Sequence, residues 1–266
     1  MADVDAWSRF PEHRWVYYKP GLCDIQGIEW APCPVVPSSY PVVVRPMTNL
    51  CGMGAGMQIV QTAAEYDDAC CHGFFWTPVA IGKHTSHDFH MEDGRLVSET
   101  IFTGTPMHEF PGAFLHWQLD AYKREPVRTP AMKHLEERLR GYSGALNVEC
   151  IGDRIIEVHL RSGDERLAAQ FYESGAPLYL VPIWHDPLDG PPGTVDVDAL
   201  RAEEGVLDVL LDTTDMSSPG CGLQRCALVV TRQLPEFASN GAPASWWEAS
   251  DMFRDTCRPC TASSIS

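Results

Sequence analysis

The segment ALNVECIGDRIIEVHLR, residues 145–161, sets polar side chains at alternate positions on either side of a Gly-Asp-Arg sequence. Gly152-Asp153-Arg154 can serve as a three-residue turn between two strands rich in β-branched residues. With a register symmetric about Asp153, Glu149 faces Glu157 and Asn147 faces His159. All four share one face of the ribbon, because successive strand side chains alternate. Val148, Cys150, Ile156, Val158 and Leu160 then point the other way, into a core. Two carboxylates opposed across a strand pair repel each other, a cost that is offset when a cation sits between them. An oxygen-rich site of this kind, between Glu149 and Glu157, suits Mg²⁺ or Mn²⁺, ions that bridge phosphates. Arg161, on the same face, can grip phosphate oxygens. The other reading of the segment is a solvent-facing ribbon with its polar residues outward.

Around this hairpin the sequence predicts alternating elements. Residues 1–14 read as a polar leader, and Trp15 to Ile28 as a short amphipathic segment with Pro20 near its start. A proline-rich connector leads to a buried strand, Val42-Val43-Val44, then to the glycine-rich Gly52-Met53-Gly54-Ala55-Gly56 and a helix over Met57 to Cys71. Phe74 to Ile81 reads as a strand. Asp93-Gly94 marks a hairpin between Lys83–Glu92 and Arg95–Phe102. Residues 104–128 read as an irregular connection. Thr129 caps a helix with Pro130 at its first position, and Gly141 stops it. Further strands are expected at Tyr179 to Trp184, Gly205 to Leu211 and Arg225 to Thr231, and the last 25 or so residues as a mobile tail.

Composition narrows the function classes. With 266 residues the chain can bury a sizeable core. Its net charge of −16 repels nucleic-acid phosphates, so direct nucleic-acid binding is not expected. No apolar run is long enough for a membrane span, and the acidic N-terminus is not a signal peptide, which makes a cytoplasmic location the expectation. Of the ten cysteines, Cys23, Cys33, Cys51, Cys70, Cys71 and Cys150 sit among apolar neighbours and read as small buried hydrophobes. Cys221, Cys226, Cys257 and Cys260 leave a zinc set open. His84, His87 and His90 do not converge on a metal, because His87 points to the strand face opposite the other two.

Asn147-Val148-Glu149 followed by Glu157-Val158-His159-Leu160-Arg161 resembles the hairpin that closes the active site of ATP-grasp enzymes, with His159 where Asn is usual. Upstream, Lys19, Gln26-Gly27-Ile28, the prolines, Pro41-Val42-Val43-Val44-Arg45-Pro46 and the glycine loop resemble the family's nucleotide lobe, and FFWTPVAIGKHTSHD its hinge. The resemblance covers residues 15–161. It implies an α+β architecture, the ATP-grasp fold, in which two α+β subdomains grip ATP between antiparallel sheets. The N-terminal lobe would span residues 15–103, the C-terminal lobe with the hairpin residues 104–240, and a flexible tail residues 241–266.

The same resemblance implies residue roles. Lys19 and Arg45 (where Lys is usual) would reach the ATP phosphates under the backbone of Gly52, Gly54 and Gly56. Adenine would meet the Pro78 carbonyl and the Ala80 N–H, and His84 would stand where an acidic residue often holds the ribose. Glu149, Glu157 and His159 would hold Mg²⁺ or Mn²⁺, the last suiting Mn²⁺ better. Lys19, Arg45 and Arg161 would serve phosphoryl transfer. The implied activity is an ATP-dependent carboxylate–amine (or thiol) ligase working through an acyl phosphate on small-molecule carboxylate and amine substrates. An ATP- and metal-binding module without ligase activity is the alternative. The chain is expected to be a minimal member without the preceding substrate domain. Substrate recognition then falls to residues 95–128, the C-terminal region or a partner, a homodimer included.

Overall fold

Strand-turn-strand pairing in the middle of the chain builds the larger of two antiparallel sheets. The computed structural model describes residues 1–50, 54–107, 112–126, 129–163, 166–185, 195–217 and 223–234. Strands β1 (Ala31–Pro32), β2 (Val42–Pro46), β3 (Gln58–Val60) and β4 (Phe74–Pro78) form a small sheet in the order β1-β4-β2-β3. The other strands are β5 (His84–Glu92), β6 (Arg95–Pro106), β7 (Phe114–Lys123), β8 (Gly144–Ile151), β9 (Arg154–His159), β10 (Tyr179–His185), β11 (Val206–Ser217) and β12 (Gln224–Thr231). They form one sheet in the order β11-β12-β10-β7-β6-β5-β8-β9. Helices are α1 (Asp3–Arg9), α2 (Lys19–Gln26), α3 (Ala63–Ala69), α4 (Pro130–Arg138), α5 (Arg166–Ala169) and α6 (Val197–Ala202), with a 3₁₀ turn at Pro11–Tyr17. No helix among the described residues is long and apolar enough to cross a membrane.

Each helix packs where its apolar face finds a sheet. The main core joins Ala6 of α1, Leu22 of α2 and Met132 and Leu135 of α4 to Phe89, Leu146, Val148 and Val158 on one face of β5, β8 and β9, and to Leu160 just beyond β9. A second core lies among β7, β10 and β12, and Tyr66 and Ala69 of α3 cover the small sheet. Thr129 caps α4 as expected, its hydroxyl accepting the Met132 N–H at 3.2 Å. The Asp93-Gly94 turn joins β5 to β6, with Asp93 at φ 48°.

Besides Met57 to Cys71, where strand β3 (Gln58–Val60) replaces the start of the expected helix and α3 covers only Ala63–Ala69, three segments depart from the sequence expectation. Residues 1–14 contain α1 and most of the 3₁₀ turn, and Asp3, Ala6 and His13 are buried. Residues 104–128 are not irregular throughout. β6 runs on to Pro106, and β7 is an inner strand of the large sheet that follows a Pro- and Gly-rich run. Alternating partners on both sides hold β7 despite the glycine- and proline-rich approach. Third, the β8–β9 turn has two residues, not three, since Ile151 pairs with Arg154 and Cys150 with Ile155. The register Glu149↔Glu157, Val148↔Val158 and Asn147↔His159 is as expected, because a bulge absorbs the extra residue. Ile155 therefore enters the core while Ile156 lies half-buried on the cavity side.

Candidate active site

The β9 bulge shapes one wall of the site. Gln26, at the end of α2, pairs with β9 like an extra strand residue. Its Nε2 donates to Ile155 O at 2.9 Å and its Oε1 accepts the Ile155 N–H at 2.7 Å. Arg45, on β2, donates from Nη1 to Ile156 O at 3.1 Å and lies over the Phe75 ring at 5.3 Å. Burial lowers its pKa, while Cys23 and Glu157 pull in the opposite sense. These contacts tie the small sheet to the hairpin. Lys19 is pinned nearby by its backbone N–H on Met47 O at 2.9 Å.

A cavity of about 860 Å³ opens between the two sheets, and Lys19, Arg45, Gly54, Pro78, Ala80, His84, Glu149, Glu157, His159 and Arg161 all line it. Gly52 lies outside the described residues. Gly56 does not line the cavity, and a Cβ there would meet Phe74 and Pro46 at 3.2 Å. Of the possible zinc set, Cys226 lies on β12, and Cys221, Cys257 and Cys260 lie outside the described residues. The three histidines of β5 diverge as expected, since His84 meets Glu149, His87 meets Glu99 and His90 meets Glu92.

Each of the opposed carboxylates has a basic side chain from the protein beside it. Lys19 Nζ lies 3.0 Å from Glu157 Oε1, and His84 Nε2 lies 3.1 Å from Glu149 Oε2. Burial works to raise the Glu149 pKa, but the hydrogen bond and charge of His84, with His159 and Arg161, lower it to about 2. His159 Nε2 is 3.9 Å from an oxygen of each glutamate. One ligand atom from each of Glu149, Glu157 and His159 lies within 4.8 Å of the others. Glu157 Oε1 is buried and makes no hydrogen bond of good geometry despite the nearby lysine. Two carboxylates and an imidazole whose ligand atoms share one small volume are a donor set that fits a divalent cation. Asn147 is not part of that trio, since its amide donates to Ser86 Oγ at 2.8 Å and Asp88 Oδ1 at 3.0 Å.

Toward the hinge, Arg154 Nη1 donates to Pro78 O at 3.3 Å, so this carbonyl already has one donor and one lone pair to spare. Gly82 and Gly152 meet backbone to backbone. A Cβ on Gly82 would stand 2.6 Å from Gly152 Cα, and Gly152 N–H donates to Lys83 O at 2.9 Å. Beside His84 the cavity lining is aromatic. Phe114 and Trp117 have ring centroids 4.2 Å apart, and His84 meets both edge-on at 4.9 and 5.6 Å. Trp184 Nε1 donates to Phe114 O at 3.0 Å.

Sequence reasoning missed this aromatic lining and also Asp3. The alternation of Leu115, Trp117 and Leu119 with His116, Gln118 and Asp120 carried a strand signal for β7, masked by the surrounding prolines and glycines. Nothing local marks Asp3, whose hydrogen-bond partner His159 is 156 residues away. Burial acts to raise the Asp3 pKa, but His159 and Arg161 lower it to about 2.

No family model matches the chain, and no curated protein matches it in sequence. Solved structures do match its fold. An L-amino acid ligase from Bacillus licheniformis aligns with a TM-score of 0.57 at 12% identity, over 86% of this chain and 70% of that one. A carboxyaminoimidazole ribonucleotide synthase from Aspergillus clavatus, complexed with ATP, gives 0.57 at 10% identity over 83% and 69%. N5-carboxyaminoimidazole ribonucleotide synthetase from Thermotoga maritima gives 0.53 at 12% identity over 86% and 70%. The two antiparallel sheets of this chain are consistent with the ATP-grasp fold of these neighbours. The chain has the ATP-grasp fold.

Proposed function

We propose that this protein is an ATP-dependent ligase that joins a small carboxylate to an amine or thiol. The observation that carries the reading is the meeting of Glu149, Glu157 and His159 within 4.8 Å in the cavity that Lys19, Arg45 and Arg161 also line. A divalent cation bound there, Mg²⁺ or Mn²⁺, would neutralise charge on the phosphate oxygens. Lys19, Arg45 and Arg161 bring positive charge to the transferring phosphoryl group. A substrate carboxylate oxygen attacks the γ-phosphorus and ADP leaves. The nucleophile then attacks the carbonyl carbon of the acyl phosphate, inorganic phosphate leaves with the bonding pair, and the nucleophile's proton passes to the departing phosphate. The protein's part is to hold both reactants in line and to keep water out, and no protein nucleophile is needed.

Adenine is assigned to the Pro78–Ala80 edge, with His84 toward the ribose and the loop containing Gly54 over the phosphates. The aromatic lining at Phe114, Trp117 and Trp184 is assigned to the acceptor substrates. Names of the structural neighbours support ligase chemistry, since one is an L-amino acid ligase and another was determined with ATP. ADP release, screened across amino acids, polyamines and small carboxylates, tests the reading. Release that needs both a carboxylate and a nucleophile is expected.

A second reading is favoured by one feature. Lys19 and His84 already partner the two carboxylates, so the pair can persist without a cation. A nucleotide-binding module without ligase activity would bind ATP and release no ADP with any member of the panel.

A further inference from the structure

Helix α1 carries a carboxylate that nucleotide binding alone does not require. Asp3 is 3% exposed, and both of its oxygens are engaged. Oδ1 accepts from Tyr17 Oη at 3.2 Å and lies 3.1 Å from His159 Nδ1, while Oδ2 accepts from Arg161 Nη2 at 2.7 Å. Tyr17 Oη in turn accepts the Leu160 N–H at 3.3 Å, so the carboxylate is fixed to the backbone of the hairpin it serves. The far nitrogen of the same imidazole, Nε2, stands 3.9 Å from Glu149 Oε1 and from Glu157 Oε1.

An asparagine at position 159 would offer an amide oxygen as a metal ligand without any choice of tautomer. A histidine offers a lone pair at Nε2 only when the neutral ring carries its proton on Nδ1. A buried carboxylate at Nδ1 fixes that proton, the arrangement by which outer partners orient metal-bound histidines. We propose that Asp3 is a positioning residue of the metal site, holding His159 in the tautomer whose Nε2 is a ligand and holding Arg161 beside it. The inference rests on the reading of Glu149, Glu157 and His159 as cation ligands. It makes α1 part of the site, although it lies at the other end of the chain.

The test uses the full chain labelled with ¹⁵N-histidine, metal-free, at a pH where the imidazoles are neutral. Long-range ¹H–¹⁵N spectra, with His159 assigned by its loss in His159→Gln, are expected to show the proton on Nδ1 and a bare Nε2. Mn²⁺ affinity, read from the resonance of free Mn²⁺, is expected to fall about 10–100-fold in Asp3→Ala. Asp3→Asn, whose amide oxygen can still accept from Nδ1–H, should keep the tautomer and lose less. A proton on Nε2 in the parent protein overturns the proposal, and so does a folded Asp3→Ala that binds Mn²⁺ as tightly as the parent. The second outcome leaves the metal site standing, whereas a parent protein that takes up no Mn²⁺ removes the site and the proposal together. If Asp3→Ala does not fold, the parent spectrum and Asp3→Asn decide the matter.

Discussion

Glu157→Gln and Lys19→Met, made singly and together, test whether Lys19 is what makes the opposed carboxylates tolerable. The pair is 3.0 Å apart, with side chains only 5% and 11% exposed, so solvent screens it little. At an effective dielectric near 20, two unit charges at that distance attract by roughly 5 kcal/mol, a ceiling that desolvation reduces. Removing one partner of such a buried pair costs about 3–5 kcal/mol, because the other charge is left uncompensated. Each single variant should therefore lose about 3 kcal/mol of unfolding free energy. The double variant should lose far less than the sum, giving a coupling of about 2–3 kcal/mol. Urea titrations followed by tryptophan fluorescence measure this, with an unchanged slope as the check on two-state behaviour. A coupling under about 0.5 kcal/mol would class the pair with exposed ion pairs and refute the argument.

Other outcomes follow from the same geometry. Glu149 and Asp3 both have pKa values lowered to about 2, from 4.5 and 3.8. Their depressed values contribute stability that is present above the unfolded-state pKa and lost as pH falls toward 2, so unfolding free energy should decline between about pH 4.5 and 2. In His84→Ala that acid-limb slope should be shallower, measured by denaturant titration at each pH. Gly82→Ala should cost about 1–3 kcal/mol and weaken ATP binding, because its Cβ would strike the backbone of Gly152, 2.6 Å away. A thermal melt together with nucleotide titration checks it. Arg45→Lys should weaken ATP binding about tenfold, since a lysine cannot both bond Ile156 O and lie flat on Phe75.

The sequence carried the hairpin because two signals agreed there. Alternation sorts the carboxylates from the core residues, and Glu149 meets Glu157 as the three-residue turn implies, because the bulge in β9 compensates for the two-residue turn that forms. The bulge was not legible, since a strand with one extra residue keeps its hydrophobic pattern on either side. It is visible only in the side chains that complete it, Gln26 and Arg45, which belong to distant elements. Asp3 was illegible for the same reason. A short acidic helix has no local feature that distinguishes a surface carboxylate from one that reaches a buried histidine. Residues 104–128 misled because their prolines and glycines flank β7 without interrupting it. The glycine loop gave only part of what its composition promised, with Gly54 at the cavity and Gly56 packed behind it.

The central claim is a metal-dependent nucleotide site built on Glu149 and Glu157. Calorimetric titration of ATP into the full chain, with Mg²⁺ or Mn²⁺ and then with chelator, tests it most directly in the parent protein and in Glu149→Gln and Glu157→Gln. Binding that needs the cation and is lost in both variants is predicted. ATP binding that is absent, or equally strong in chelator and in both variants, would contradict the account.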